Sequence, residues 1–243
     1  MPVVLRDAWT TVVPDKQDRH GPLPPLMLAL TLVTGLVDAF SYLALGHVFV
    51  ANMTGNVVFS GFAVAGAAGF SLIASLAALG AFAAGALFGG RIAHRARSHR
   101  GRLLHRALVL ETVLVAAAYV VARAADPSHS GVRYALIVLL GLAMGVQNAA
   151  ARALAVPDLT TTVLTLTVTG IAADSRLVGG AGSRAGRRAL SVGAMLLGAL
   201  IGASAVLHGH RSLPLLLAAL LLAAVTAAAF ALTRSDRAWA QPQ

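Results

Sequence analysis

The residues of this sequence with the most evident chemical potential are polar side chains inside long apolar stretches. Asp38 lies in the first stretch, and two segments rich in Asn and Thr follow at 47–66 and 157–175. A carboxylate inside a membrane-spanning helix costs roughly 2.5–3.5 kcal/mol on insertion scales, so something must offset it. Two interpretations stay open: Asp38 binds a substrate, cation or proton, or its carboxyl group is bonded to neighbouring amides such as Asn52, Asn56 and Gln147.

The candidate binding site combines polar groups from both halves of the chain. Asn52, Thr54, Gly55 and Asn56 supply carbonyls, hydroxyls and a flexible joint within a short segment, which suits a broken helix; only glycine readily tolerates left-handed angles. The candidate substrate-binding residues are Asp38, Asn52, Thr54, Gly55, Asn56, Gln147, Asn148 and Thr165. The alternative is that these groups only join helices through interhelical hydrogen bonds.

The other titratable residues have simpler interpretations. Glu111 lies near the start of the third apolar stretch, where we expect an interfacial ion pair with Arg106. Asp158 is expected to cap the Thr-rich segment that follows it. The absence of cysteine excludes thiolate chemistry, and no catalytic triad, zinc motif, P-loop or dinucleotide fingerprint occurs. We therefore expect no enzyme activity, no catalytic residues, no metal and no cofactor.

The elements that position these residues are membrane helices. Of the 243 residues 58% are apolar and only 12% are charged, against roughly 25% in an ordinary soluble domain. Six stretches are long enough to cross a bilayer as helices. They are 24–45, 70–90, 107–125, 134–152, 190–207 and 214–232. The first is much longer than the apolar region of a signal peptide, so we expect it to remain as a spanning helix.

The distribution of arginine predicts the topology. Loops 91–106 and 176–189 are both rich in Arg, and such short loops stay on the cytoplasmic side. If 47–66 and 157–175 both crossed the membrane, these two loops would lie on opposite faces. The predicted fold is therefore an all-α polytopic membrane protein with six transmembrane helices, two broken or re-entrant helical segments, and both termini cytoplasmic. An eight-helix topology remains the alternative.

The formal charge of +10 does not indicate nucleic acid, because the basic residues lie between apolar stretches. They are typical of topology signals, and the basic loops could also contact anionic lipid.

The chain resembles a duplication. Gly35, Asp38 and Ala39 align with Gly145, Asn148 and Ala149, and a small-residue stripe at four-residue spacing occurs in each half: Ala81, Gly85, Gly89 and Ala194, Gly198, Gly202. With three crossings per half, the repeat must be inverted (3+3). We predict one transmembrane domain, 24–232, with halves 24–125 and 134–232, a polar disordered tail at 1–23 and a cytoplasmic tail at 233–243. The stripes can serve contacts within one chain or in a homo-oligomer.

Two segments carry a family resemblance. Gly35–Tyr42 with Val48–Asn56, and Gly145–Ala149 with Thr160–Thr165, resemble the signatures of the YoaK family of bacterial membrane proteins. The resemblance covers most of 24–232 and implies a multi-pass protein of the bacterial inner membrane, without an established activity. The chain departs from the family where Thr165-Leu166 replaces a Thr-Gly pair, so a glycine-dependent turn is in doubt there.

These observations predict a small-solute secondary transporter or permease, because interrupted helices in an inverted repeat are typical of transporter binding sites. The alternative is a non-transporting membrane scaffold or partner-binding protein. Transport predicts a water-accessible cavity that reaches Asp38, whereas a scaffold predicts polar groups bonded among themselves. The sequence leaves substrate, direction and coupling ion open.

Overall fold

The computed structural model describes residues 3–14, 18–96, 98–162, 164–174, 184–235 and 237–241. Within these ranges the chain is helical and contains no β-strand. The helices are α1 (Val3–Val12), α2 (Leu23–Ala44), α3 (Met53–Val64), α4 (Leu72–Arg95), α5 (Arg100–Ala124), α6 (Ser130–Leu154), α7 (Leu164–Ala173), α8 (Ala185–Leu207) and α9 (Leu213–Leu232), followed by a 3-10 turn at Ala238–Ala240.

Six of the described helices are long and apolar enough to cross a membrane: α2, α4, α5, α6, α8 and α9. The prediction of six spanning helices is confirmed. The 12 residues of α3 and the 10 residues of α7 extend only about 18 and 15 Å, well short of a hydrocarbon core of about 30 Å. The two Asn/Thr-rich segments therefore enter the bundle as a loop followed by a short helix.

The described residues of both predicted basic loops lie at one end of the bundle, where α2, α5 and α8 begin. We call it the basic end. The guanidinium group of Arg100 donates to the carbonyl of Leu154, and Arg188 pairs with Asp158, so α5 and α8 begin where α6 ends. At the opposite end, Arg211 pairs with Asp126 at 3.6 Å. Residue 97 of the first loop and residues 176–183 of the second lie outside the described residues.

Glycine residues bring the helices into contact in two crossings. A Cβ at Gly35 would meet the backbone of Met195 and Ala199, so α2 and α8 touch main chain to main chain. A Cβ at Gly145 would likewise meet the backbone of Phe82 and Ala86 in α4. The small-residue stripes therefore serve contacts within one chain.

The two crossings match position by position along the predicted repeat. Gly35 of α2 and Gly145 of α6 are aligned residues. Gly35 contacts α8, and Gly145 contacts α4, the helix that aligns with α8. Gly89 lies against Ala149 and its counterpart Gly202 lies against Ala39 in the same way. The repeat and its inversion remain a prediction that these paired contacts support. In the bundle that results, α2 and α6 are the most buried of the six spans.

The amino-terminal segment differs from the predicted disordered tail, because Val3–Val12 form α1 on the surface of α8. Asp7 and Thr11 lie one turn apart on α1 and share a face. The Asp7 carboxylate accepts a hydrogen bond from the backbone N–H of Arg187 at 3.0 Å, and the Arg187 Nε donates to the Thr11 hydroxyl at 3.2 Å. These hydrogen bonds to the start of α8 hold α1 in place. The polar composition of the segment does not reveal them, so the sequence alone predicted disorder.

The carboxy-terminal segment also packs on the basic end. The indole ring of Trp239 covers Gly21, and the Trp239 carbonyl accepts a hydrogen bond from Arg100 at 3.3 Å. His20 lies beside the same guanidinium group, with its Nδ1 at 3.5 Å. Burial, and then the positive charge of Arg100, lower the pKa of His20.

Candidate functional site

Asp38 lies near the end of α2 and binds the loop that follows this helix. Its Oδ1 accepts hydrogen bonds from the backbone N–H groups of Val50 (3.1 Å) and Ala51 (2.9 Å). Its Oδ2 accepts one from the Asn52 amide at 2.5 Å. A carboxylate only accepts hydrogen bonds, so three donors suit this form. With 4% exposure, Asp38 is closed off by its own loop.

Asn56 fixes the same loop from the first turns of α3. Its Oδ1 accepts from the backbone N–H of Phe49 at 3.0 Å, and its Nδ2 donates to the Phe49 carbonyl at 2.6 Å. The ring of Phe49 lies so close to Gly55 that a Cβ there would meet it at 2.7 Å. Gly55 therefore provides room for a ring, whereas the left-handed angles of the loop between α2 and α3 occur at Gly46 and His47.

Aromatic rings cover the loop at the opposite end. Phe49 stacks on Tyr42, with ring centroids 5.0 Å apart, and on Phe59 at 5.7 Å. Phe59 in turn packs against Phe70 at 5.1 Å, and His47 bonds to the Gly69 carbonyl through Nδ1 at 3.0 Å. These aromatic contacts and hydrogen bonds hold the loop between α2 and α3 closed over Asp38.

The corresponding pair in the second half is Asn148 and Thr162. The Thr162 hydroxyl donates to Asn148 Oδ1 at 2.6 Å, as Asn52 donates to Asp38, and the Asn148 Nδ2 donates to the Met144 carbonyl at 2.9 Å. The intervening loop holds Ala155, Asp158 and Thr161 at positive φ. Such angles in residues other than glycine cost about 1–3 kcal/mol each and concentrate in switch regions and ligand sites.

An open cavity lies beside Asn148 at the basic end. Its volume is about 790 Å³, within the range of small-molecule sites. Its walls come from α4, α6 and the loop after α6, and its polar lining groups are Asn148, Arg152, Thr160 and Thr162. Phe82 and Ala86 of α4 contribute to the apolar part.

Gln147 connects the two central helices between these pairs. Its Nε2 donates to the Thr34 hydroxyl of α2 at 2.8 Å, and this hydroxyl donates to the Leu30 carbonyl at 3.0 Å. Its Oε1 is buried and has no hydrogen-bond partner among the described residues.

The candidate residues thus form two clusters rather than one site. Asp38, Asn52, Gly55 and Asn56 lie together at the opposite end, and Asn148 lies near the basic end. Gln147 joins the central helices between them. Thr54 and Thr165 are exposed on the short helices and join neither cluster.

Glu111 lies in a different environment from the interfacial position that its sequence context predicts. Its side chain is fully buried, and neither carboxyl oxygen has a hydrogen-bond partner within the described chain. The predicted ion pair with Arg106 is wrong, because Arg106 is exposed. Spacing could have revealed this: Glu111 shares a helical face with the buried residues Leu104, Leu108 and Val115.

Asp158 has a different role from the predicted helix cap. Its Oδ1 accepts from Arg188 Nε at 2.8 Å, and the same guanidinium group donates to Asp174 at 2.7 Å. Arg188 therefore ties both ends of the second short-helix segment to α8.

The geometry can be compared with known proteins. A family model described as "Protein of unknown function (DUF1275)" matches residues 26–228. This chain belongs to that family. The DUF1275 match contains both polar clusters, Gln147 and Glu111. A relative, the UPF0700 transmembrane protein YoaK of Bacillus subtilis (strain 168), is 36% identical over 152 residues. The alignment covers 61% of this chain and 65% of the relative, so the chain spans less than two thirds of that protein's length. No solved structure matches.

Family membership agrees with the resemblance to the YoaK family found in the sequence. The name of the relative and the six apolar helices identify this DUF1275 chain as a transmembrane protein.

Proposed function

We propose that this DUF1275 protein is a secondary carrier for a small solute in the bacterial inner membrane, with the basic end and both termini in the cytoplasm. The observation that carries the proposal is a difference between two aligned pairs. Asp38 is buried beneath its own loop and bonded to the half-buried Asn52, whereas Asn148 and Thr162 border an open cavity. An alternating-access carrier built from two aligned halves has one half closed and the other half open at any time. The difference between the two pairs is what such a carrier requires.

The cycle follows from exchanging the two states. If the second-half loop closed over Asn148 while the first-half loop left Asp38, the cavity at the basic end would close and one at the opposite end would open. The main-chain contacts at Gly35 and Gly145 suit this motion, because closely packed helices can move as rigid pairs. The strained loop at 155–161 is the segment that would move in the second half.

The cavity lining favours a small solute with an anionic group. Arg152 is its cation, Asn148 and Thr160 offer hydrogen bonds, and no acidic side chain is among the described lining residues. The remaining lining is apolar and would contact a small hydrocarbon body. On this proposal the protein moves its solute unchanged and is not an enzyme.

A non-transporting scaffold is the second candidate, because one observation favours it. Asp38 and Asn56 are bonded to their own loop, as the scaffold alternative predicts. The two functions differ in their use of the cavity. A carrier must bind a solute there, whereas a scaffold loses nothing when the cavity is filled.

Filling the cavity tests the proposal. A thermal-shift screen of small carboxylates and phosphates on the detergent-purified protein would find a binder, because a ligand of the folded state raises the unfolding temperature. Flux of that compound is then measured in proteoliposomes with Ala86→Trp, which fills the cavity. The matched control is Leu87→Trp on the adjacent, exposed face of α4.

A carrier predicts that Ala86→Trp abolishes the flux and that Leu87→Trp retains it. Equal flux in both variants, or no flux above that of empty liposomes for any binder, would contradict the proposal. The exposed arginines at the basic end, such as Arg91, Arg102 and Arg106, are in addition proposed to contact anionic lipid headgroups.

A further inference from the structure

Glu111 is a buried acid for which the cavity and the two clusters give no role. It is the single glutamate of the sequence, its side chain has 0% exposure, and both its oxygens lack hydrogen-bond partners within the described chain. An ionised carboxylate without partners is among the most costly groups to bury, whereas a protonated carboxyl is neutral. The geometry points to Glu111 as a proton-binding site, and we propose that proton exchange there drives the carrier cycle. This inference rests on the proposed carrier function.

The position of Glu111 supports this role. Its helix α5 packs between α6 and α9, and Thr112, the next residue, faces α9 through a hydrogen bond to Thr226 at 2.9 Å. Adjacent residues on a helix point about 100° apart, so Glu111 and Thr112 do not face the same direction. Glu111 lies on the face that buries Leu108 and Val115.

The depth of Glu111 brings it close to the level of Gln147. The Arg100 side chain bonds to the Leu154 carbonyl, so the start of α5 and the end of α6 lie near each other at the basic end. A rise of 1.5 Å per residue then places Glu111 about 16 Å and Gln147 about 10 Å from those helix ends. The two differ in depth by about one helical turn. Gln147 Oε1 lacks a donor and a protonated Glu111 has one O–H donor to offer, although the two side chains are not bonded to each other in this structure.

The charged and titratable groups on α4 and α6, the helices packed beside α5, lie near the helix ends and away from this level. The helix α9 has none, α6 has them near its two ends, and α4 has them only in its last turns. They are Arg133, Tyr134 and Arg152 on α6, and Arg91, His94 and Arg95 on α4. The 3-10 turn contributes none, and α2 contributes Asp38 and Tyr42. The remaining groups of α5 itself are Arg100, Arg102, His105, Arg106, Tyr119 and Arg123. No salt bridge involves Glu111 among the described residues.

At Glu111 itself the coupling step transfers one proton and forms or breaks no other bond. Water on one side gives a proton to the Glu111 carboxylate, and the neutral carboxyl is buried as in this structure. After the helices rearrange, Glu111 releases the proton to water on the other side. If the solute is a monoanion, as Arg152 favours, one proton and one solute move together without net charge.

The test uses the absence of cysteine from the chain. A single cysteine, Ala86→Cys, reports on the cavity through its rate of modification by a water-soluble maleimide in proteoliposomes, after correction for thiolate fraction with a model thiol. One proton linked to a two-state change alters the ratio of states by up to about tenfold per pH unit. We expect the corrected rate to change with pH, to become independent of pH in Glu111→Gln, and to remain dependent on pH in His20→Gln.

A second measurement needs no variant at the site. Because the chain has one glutamate, ¹³C-carboxyl glutamate marks Glu111 alone, and its infrared C=O band reports the protonated form directly. The band should be present at neutral pH, and its loss at higher pH should parallel the change in the Ala86→Cys rate. A Glu111 that is ionised at neutral pH, or a pH dependence that survives in Glu111→Gln, would overturn the proposal.

The outcomes separate this inference from the carrier function. Solute flux that Ala86→Trp blocks, together with a cavity whose accessibility ignores pH, would refute proton coupling and leave the carrier intact. A lack of flux for every binder would refute the carrier, and proton coupling with it.

Discussion

Two substitutions can give the first half the same pair of residue types that the second half has at the corresponding positions. Asp38→Asn with Asn52→Thr reproduces the pair Asn148 and Thr162 in the first half. The new Asn oxygen can still accept from the backbone N–H groups of Val50 and Ala51, and its amide nitrogen can donate to the Thr hydroxyl, so three hydrogen bonds to the loop are retained. What is lost is the charge of the acceptor.

The magnitude follows from the three hydrogen bonds. Bonds to a charged group contribute about 1.5–3 kcal/mol and neutral bonds about 0.5–1.5 kcal/mol, a difference of about 1 kcal/mol each. Three bonds therefore lose about 3 kcal/mol, and 1.36 kcal/mol is a factor of ten. The population in which the loop has left Asp38 should rise about 100-fold.

Ala51→Cys is the reporter, because Ala51 is 3% exposed in the closed loop and its modification requires opening. Its maleimide modification rate should rise about 100-fold in the double variant. The matched control is Thr31→Val, also buried on α2, whose hydroxyl bonds only to the Met27 carbonyl of its own helix. A rise of less than about threefold in the double variant would refute the idea that the Asp38 charge holds the loop.

Three other predictions test the packing, the basic end and the second short helix. Gly85→Ala should lower the stability by about 1–3 kcal/mol, because its Cβ would meet the Leu142 backbone, while Gly80→Ala, with open space around it, should be neutral or stabilising; thermal unfolding compares the two. The pKa of His20 is lowered in the folded state, so the unfolded chain binds this proton first. Stability should therefore fall as the pH drops through about 6.5, and His20→Gln should reduce that fall in a series of unfolding temperatures. Arg188→Gln should lower hydrogen-exchange protection of α7 about fivefold, for a loss of about 1 kcal/mol; unchanged protection would mean that the pairs with Asp158 and Asp174 do not hold α7.

The fold was largely predictable because the bilayer imposes length and composition on each element. The six stretches matched six helices, but several helices extend past the apolar residues. α5 begins at Arg100 rather than near 107, because the His99 ring accepts a hydrogen bond from the Arg102 N–H and caps the helix. Polar residues can continue a helix beyond the hydrocarbon, and hydropathy does not record this.

The site was less predictable, because residue types do not indicate how far along the bundle each side chain lies. Asp38, Asn52 and Asn56 were correctly placed together as neighbours of one loop. The structure does not bring Asn148 next to them, because α2 and α6 run in opposite directions and the segments that follow these helices emerge at opposite ends of the bundle. The predicted inversion already implied this separation.

The chemical difference between the halves bears on the resting state of the proposed carrier. Asp38 holds its loop with three hydrogen bonds, whereas Asn148 receives one, from Thr162, beside a loop with three residues at left-handed angles. The closed first half is therefore the more stable of the two closures, and the state open at the basic end should dominate without ligand. A solute or proton can reverse this preference only by binding the other state more tightly, and each factor of ten in that differential affinity supplies about 1.4 kcal/mol. The charge on Asp38 would then set how much differential binding the transport cycle needs.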